Sequence, residues 1–301
     1  MLLESLIDKA TQVNKKTIAV AAAEDSEVID AVIDALSRNL ANFILYGDEE
    51  KITTILRSKH FNLTPTHQLK IVHADSVSMA AELAVKAVSS KSASVLMKGN
   101  LPTSVILKSV LNKEYGLRTG NALSHVAVFE IPEYDRFILI TDAGMNIAPD
   151  LEQKAQIIKN AVTIAKAIGI NQPKVAPLAA IETVNPAMQA TMDAAALTIM
   201  NKRGQIPGCI VDGPLALDNA ISTLAAEHKG IQSEVAGNAD ILLVPAIEVG
   251  NALYKSLIYF AKAKVGAVIA GARAPIVLTS RADSAESKLY SLALALCSVA
   301  E

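Results

Sequence analysis

Tryptophan is absent and other aromatics are few: 6 Tyr and 5 Phe in 301 residues. Proteins that grip single-stranded nucleic acid stack bases on aromatic rings, so this scarcity argues against that role. An excess of positive charge is missing too, with 28 Lys and Arg against 30 Asp and Glu, a formal net charge of −2. No broad basic face is available for a phosphate backbone. Mean hydropathy is high at +0.33, yet long apolar runs are lacking. The longest stretch without Asp, Glu, Lys or Arg is the 12 residues Leu289–Ala300, where a membrane-spanning helix needs roughly 20. Met1–Ala10 carries Glu4 and Asp8 and no basic flank, unlike a secretory signal. The two cysteines, Cys209 and Cys297, each sit in an apolar run. They are expected to be buried free thiols, which points weakly to the cytoplasm. Arginine is scarce as well, 7 residues among the 28 basic ones. Those few carry weight, because fork-shaped recognition of phosphate and carboxylate prefers Arg.

What the sequence does have is alternation. Short apolar runs predict strands at Thr17–Ala23, Asn42–Tyr46, Lys70–His73, Ser94–Met97, His125–Ile131, Arg136–Thr141, Val175–Ala180, Cys209–Val211, Ile241–Val244, Ala267–Ala270 and Pro275–Thr279. Helical stripes lie between them. One is Val28, Ile29, Val32, Ile33 and Leu36; another is Leu151, Ala155, Ile158, Val162 and Ala165. A third is Val249, Leu253, Leu257 and Phe260, and a fourth Leu289, Leu292, Leu296 and Val299. Apolar residues three and four apart share one helix face, so each stripe is expected to pack on a sheet. Strand–helix alternation predicts an α/β fold with mostly parallel sheets and helices on both faces. Between Glu130 and Asp142 two strands are separated only by Pro132–Asp135, a connection that suits an antiparallel hairpin. It is read as the passage from a first domain, 1–135 plus 271–301, to a second, 136–270.

Several common site signatures are absent. There is no G-x-x-x-x-G-K-[ST] loop, no G-x-G-x-x-G fingerprint and no G-x-S-x-G elbow, which sets aside the nucleotide and hydrolase sites those patterns build. The five histidines show no metal-ligand spacing and no cysteine lies near one, so no metal site is expected. In open parallel sheets, ligands bind beyond the carboxyl ends of the strands. Five strand-end segments therefore matter. Met97–Thr103 places Lys98 and Gly99 ahead of Pro102, which suits a helix's first turn, and helix N-termini attract anions; an ordinary turn with a solvated lysine is the plain alternative. Gly116–Asn121 holds Arg118 and Thr119 between two glycines, a loop that can approach phosphate or simply turn at the surface. Thr141–Asp150 runs from a strand directly into Asp142, followed by Asn146, and Asp150 with Gln153 forms a capping pair. Val211–Asp218 sets Gly213 and Pro214 between Asp212 and Asp218, the latter a candidate cap. Thr279–Glu286 gathers Ser280, Arg281, Asp283 and Glu286 where a last helix begins. Capping by Asp283 and Glu286 would explain the acids. It would not explain Arg281, because a cation at a helix N-terminus opposes the macrodipole, and an anionic ligand would relieve that conflict.

The chain resembles the phosphate acetyl/butyryltransferase family over almost its whole length. The likeness is carried by Ile210–Asp218 (IVDGPLALD), Glu234–Pro245 (EVAGNADILLVP), Glu248–Asn251 (EVGN) and Leu278–Arg281 (LTSR), taken in order and spacing. The segments Lys98–Thr103 and Ser280–Ser284 look like the butyryl branch. The resemblance implies reversible transfer of a short acyl group between coenzyme A and inorganic phosphate, with acyl-CoA and acyl phosphate as the two acyl carriers. It implies no metal, no covalent enzyme intermediate and no permanently bound cofactor, coenzyme A being a substrate. It further implies a two-domain isocitrate/isopropylmalate dehydrogenase-like fold with a cleft, and a homodimer or higher oligomer formed largely through the second domain. Ser280 matches the residue expected to stabilise the oxyanion and Arg281 the one expected to hold phosphate, with Arg118 a second phosphate or carbonyl contact. Lys98, Thr119, Asp142, Asn146, Asp212, Gly213, Pro214, Asp218, Glu248, Asn251 and Arg273 complete the expected substrate-binding set. One position departs from the pattern: acetyl enzymes carry an Asp seven residues after the serine, and here Ser287 stands there. Asp283, Glu286, Asp142 and Asp218 are the alternatives for the base. An acetyltransferase of the same family, a metal- and NAD-dependent hydroxyacid dehydrogenase on the same fold and a non-catalytic coenzyme A-binding regulator are the competing readings.

Overall fold

The computed structural model describes residues 2–12, 15–61, 68–278 and 284–299. His67, Ser280, Arg281 and Asp283 lie outside the described residues. In chain order the elements are α1 (Glu4–Gln12), β1 (Thr17–Ala21), α2 (Ser26–Ser37), β2 (Asn42–Gly47), α3 (Glu49–Ser58), β3 (Leu69–His73), α4 (Val77–Ser89), β4 (Val95–Lys98) and α5 (Thr103–Val110). There follow β5 (Ser124–Glu130), β6 (Ile138–Thr141), α6 (Leu151–Ala167), β7 (Lys174–Pro177), α7 (Gln189–Lys202), β8 (Ile210–Val211), α8 (Leu217–Ile221), α9 (Thr223–His228), β9 (Ile241–Leu243) and α10 (Ile247–Tyr259). The chain ends with β10 (Lys264–Ala270), β11 (Ile276–Val277) and α11 (Ala285–Cys297). All eleven predicted strands are present with their ends displaced by up to three residues, and Thr279, the predicted end of the last, lies outside the described residues.

Two compact units result: Leu3–Asn121 with Gly266–Glu301, and Ala122–Val265. In the first, the strands run β3-β2-β1-β4-β11-β10, all parallel except that β10 is antiparallel to β11. Consecutive residues of β1 and β4 are buried, so both faces of this sheet are covered. α4 lies against β1 and β2, while α1, α2 and α11 pack together. Nine residues of α11 are buried, among them Lys288, whose ammonium is paired with Glu27 at 2.8 Å. In the second unit the order is β5-β6-β9-β7-β8. β6, β9, β7 and β8 are parallel, and β5 pairs with β6 as the expected antiparallel hairpin. Because the hairpin stays whole in this unit, the passage between units falls after Asn121, ahead of the residue 135 read from the sequence.

Helix α10 departs from its predicted packing. The stripe Val249, Leu253, Leu257 and Phe260 does not lie on the sheet. Val249 and Phe260 are exposed, Phe260 at 86%, and the two leucines are half-buried. The buried residues of α10 are Gly250 and Tyr254. Tyr254 stacks edge-on against Phe129 and His125 of β5, with centroids 5.2 and 5.9 Å away. The inward face is set by ring packing and by a residue without a side chain, neither of which an aliphatic periodicity records. Among the described residues, no helix is long and apolar enough to cross a membrane.

Candidate active site

At the carboxyl edge of the first unit, β4 and β11 are neighbours, with Met97 level with Val277. β11 therefore ends level with the end of β4, next to Lys98. Lys98 is not the solvated lysine of the plain reading: it is 7% exposed, and its Nζ donates to the Gly99 carbonyl at 3.2 Å. Gly99 is required by close approach, since a Cβ there would meet the Ala22 carbonyl oxygen at 2.0 Å. Pro102 stands one residue earlier than expected, at the N-cap of α5. The Gly116–Asn121 loop is folded onto the turn after β10. Thr119 Oγ1 donates to the Gly271 carbonyl at 2.6 Å, Arg273 N–H donates to the Leu117 carbonyl at 2.9 Å, and the Arg273 guanidinium donates to the Gly116 carbonyl. Thr119 and Arg273 thus brace the loop. Arg118 is exposed, and no hydrogen bond or ion pair holds its guanidinium among the described residues.

α11 begins differently from its sequence reading. Its N-cap is Ser284, which accepts from Ser287 N–H at 3.1 Å, so Ser287 serves the cap. Glu286 accepts from the Tyr290 hydroxyl at 2.8 Å.

The other candidates lie after strands of the second unit. Asp142, at the end of β6, is buried and organises its own loop. It accepts from the N–H groups of Gly144, Met145 and Asn146 at 2.9–3.2 Å and from Asn146 Nδ2 at 2.6 Å. Asn146 Nδ2 also donates to the Leu123 carbonyl at 2.8 Å. With its oxygens so occupied, Asp142 is a loop staple, and base chemistry there would require dismantling the loop. Asp150 forms the predicted capping box with Gln153, both bonds being present. Glu248 and Asn251 are exposed on the first turns of α10. That helix approaches the Asp142 loop through Gly250, where a Cβ would meet the Asp142 carbonyl oxygen at 2.7 Å and Ala143 Cα at 2.9 Å. At the end of β8, Asp212 is half-buried and Pro214 buried, and Gly213 lies tightly against Pro177. Asp218 does not cap α8; Ala216 does. Asp218 is exposed and lies 3.6 Å from Lys229, which also holds Glu182 at 3.1 Å.

The family model for phosphate acetyl/butaryl transferase matches residues 56–296. The chain belongs to this family. It is 61% identical over 301 residues to a protein of Bacillus subtilis (strain 168) named probable phosphate butyryltransferase, covering 100% of this chain and 99% of the relative. It is 49% identical over 294 residues to a phosphate acetyltransferase of Thermotoga maritima, covering 98% of each. Among solved structures, a branched-chain phosphotransacylase from Enterococcus faecalis V583 superposes with a TM-score of 0.83 at 38% identity, covering 94% of this chain and 99% of that one. A 4-hydroxythreonine-4-phosphate dehydrogenase from Klebsiella pneumoniae shares the fold at a TM-score of 0.58 and 10% identity, covering 95% of this chain and 100% of that one.

Within this phosphate acetyl/butaryl transferase, two features of the strand-end architecture were not picked out from sequence. One is Gly250, which the sequence shows within the Glu248–Asn251 segment and a helical stripe but to which it assigns no contact. Replacing it with valine is expected to push α10 from the Asp142 loop and cost about 1–3 kcal/mol, measurable as a lower urea midpoint. The other is the pair Lys154–Asp193, both buried, with Nζ and Oδ2 2.5 Å apart and Asp193 Oδ1 accepting from Gln189 at 2.8 Å. With Pro177, Leu178, Val244 and Pro245 it lines a small cavity at the carboxyl ends of β7 and β9. The cysteines are free but half-buried, less enclosed than expected. Burial pushes the Cys209 thiol up to about 11 and raises Cys297 as well, so both are protonated and weakly nucleophilic near neutral pH.

Proposed function

We propose that the chain is a phosphate butyryltransferase, converting butyryl-CoA and inorganic phosphate to butyryl phosphate and coenzyme A, and the reverse. The observation that carries this is the 61% identity over the full chain to a relative named for that reaction. A phosphate oxygen attacks the thioester carbonyl, a tetrahedral oxyanion forms, and the carbon–sulfur bond breaks to release the thiolate, which takes up a proton. In reverse, the coenzyme A thiol, with an ordinary pKa around 8.5, must lose its proton before attacking. Ser280 donates to the oxyanion. Arg281 holds phosphate through its fork, and the exposed Arg118 supplies a second contact. Lys98 adds positive charge at the same strand edge. Of the alternatives for the base, Asp142 is taken up by its loop, Glu286 by Tyr290 and Asp218 by Lys229. Asp283 is the remaining candidate. Coenzyme A is a substrate, and the enzyme works in the cytoplasm without a permanent cofactor.

The 49% identity to a phosphate acetyltransferase keeps the acetyl reading in competition. One methylene in a pocket changes discrimination by only about 1–3 kcal/mol. A panel of acetyl-, butyryl-, isobutyryl- and valeryl-CoA at fixed phosphate decides it. A maximum of kcat/KM at butyryl- or isobutyryl-CoA is expected, and a maximum at acetyl-CoA would overturn the butyryl assignment.

The enzyme is a homodimer through its second unit. The outward stripe of α10 supports this, with Val249, Leu253, Leu257, Tyr259 and Phe260 exposed or half-buried on one helix. Contiguous exposed apolar surface of this kind marks an interaction face. Leu253→Asp combined with Phe260→Asp is expected to halve the mass seen by light scattering. An unchanged mass would place the interface elsewhere.

A further inference from the structure

Beyond β1 the chain passes through Ala22, Ala23 and Glu24 before Asp25 caps α2. Glu24 is half-buried, and its Oε2 is shielded from solvent with no hydrogen-bond donor on it. The carboxyl group lies over Gly47, the last residue of β2, where a Cβ would fall 2.0 Å from Oε2 and 3.0 Å from Cδ. Only glycine at 47 leaves room for the carboxylate in this position. The cation that senses Glu24 is Lys51, which is exposed and paired with Asp48 at 2.9 Å. On the other side of β1, Gly99 and Asn100 donate to the carbonyls of Ala21 and Ala22 at 2.8 and 2.7 Å. The bare oxygen therefore stands on the same strand edge as the buried Lys98.

A buried acceptor left without a donor is costly, and folded proteins keep few of them. Here the surroundings make room for the group and leave its oxygen unbonded, which suits a donor that arrives with a ligand. A carboxylate repels phosphate, so the arriving group is a neutral O–H or N–H. We infer that Glu24 is a substrate-positioning residue that accepts a hydrogen bond from a hydroxyl or N–H of coenzyme A, on either its pantetheine or its nucleotide half. This rests on the acyl-CoA reading above. Lys98 and Arg118 supply positive charge to the anionic groups, and Glu24 fixes a neutral part of the same molecule.

The test is calorimetric binding of free coenzyme A to wild type, Glu24→Ala and Glu24→Gln, with thermal unfolding as a folding control. Loss of a hydrogen bond to a charged group predicts a Kd raised about tenfold or more for Ala and less for Gln. Turnover is expected to show a matching rise in the KM for butyryl-CoA, with phosphate KM and saturating kcat altered less than about twofold. Pantetheine and adenosine 3′,5′-bisphosphate, bound separately, identify the half that carries the donor, because only that half weakens in the Ala variant. An unchanged coenzyme A Kd in Glu24→Ala, or equal losses toward phosphate, overturns the inference. Wild type that binds coenzyme A through Glu24 but turns over no acyl-CoA would refute the proposed reaction and leave this assignment standing.

Discussion

Replacing Asp193 with alanine is expected to destabilise the fold by about 3–5 kcal/mol, the cost of leaving a buried charge without its partner. Lys154 and Asp193 join α6 to α7, and neither side chain is more than 11% exposed. Without the carboxylate, the ammonium would sit among Pro177, Leu178, Leu243, Val244 and Pro245, which cannot solvate it. The sign depends on which change is made. Lys154→Met with Asp193→Leu removes both charges and keeps apolar bulk, and such replacements are often neutral or stabilising. Chemical denaturation of the single and double variants separates the cases. The single variant should fall far below wild type and the double variant should return near it. A single variant as stable as wild type would contradict the pair's assigned role.

Ser280→Ala is expected to lower kcat by about 10²–10³-fold, the loss seen when one donor to a tetrahedral oxyanion is removed. Arg281→Ala is expected to act differently, raising the KM for phosphate by about tenfold or more, since a charged contact to the ground-state anion is lost. Arg281→Lys should recover part of the binding but not the two-point contact, because an ammonium cannot present a fork. Steady-state kinetics with butyryl-CoA and phosphate varied independently distinguishes the two roles. Unaltered phosphate kinetics in Arg281→Ala would refute its place on phosphate, and a Ser280→Ala enzyme within tenfold of wild type would refute the oxyanion role.

Local order was legible in the sequence where it is made by neighbours. The four residues Pro132–Asp135 announce the β5–β6 hairpin, and Asp150 with Gln153 announces the capping box; both are in the structure. The strands were legible for the same reason, as apolar runs bounded by turns. Features made by distant residues were not. Lys154 and Asp193 are 39 positions apart, and nothing periodic links them. The inward face of α10 depends on Gly250 meeting the Asp142 loop, so its aliphatic stripe pointed to packing that the helix does not adopt. Asp142 carries the residue type of a base and the position of a ligand contact. Only the hydrogen bonds of its loop show that its oxygens are already used.

The most direct measurement is coenzyme A thiol release from butyryl-CoA with and without inorganic phosphate, monitored alongside butyryl phosphate formation. Release that requires phosphate, with one acyl phosphate formed per thiol, is the result predicted for acyl transfer between coenzyme A and phosphate. Equal release in the absence of phosphate would mean that water takes the acyl group, and would contradict the assignment.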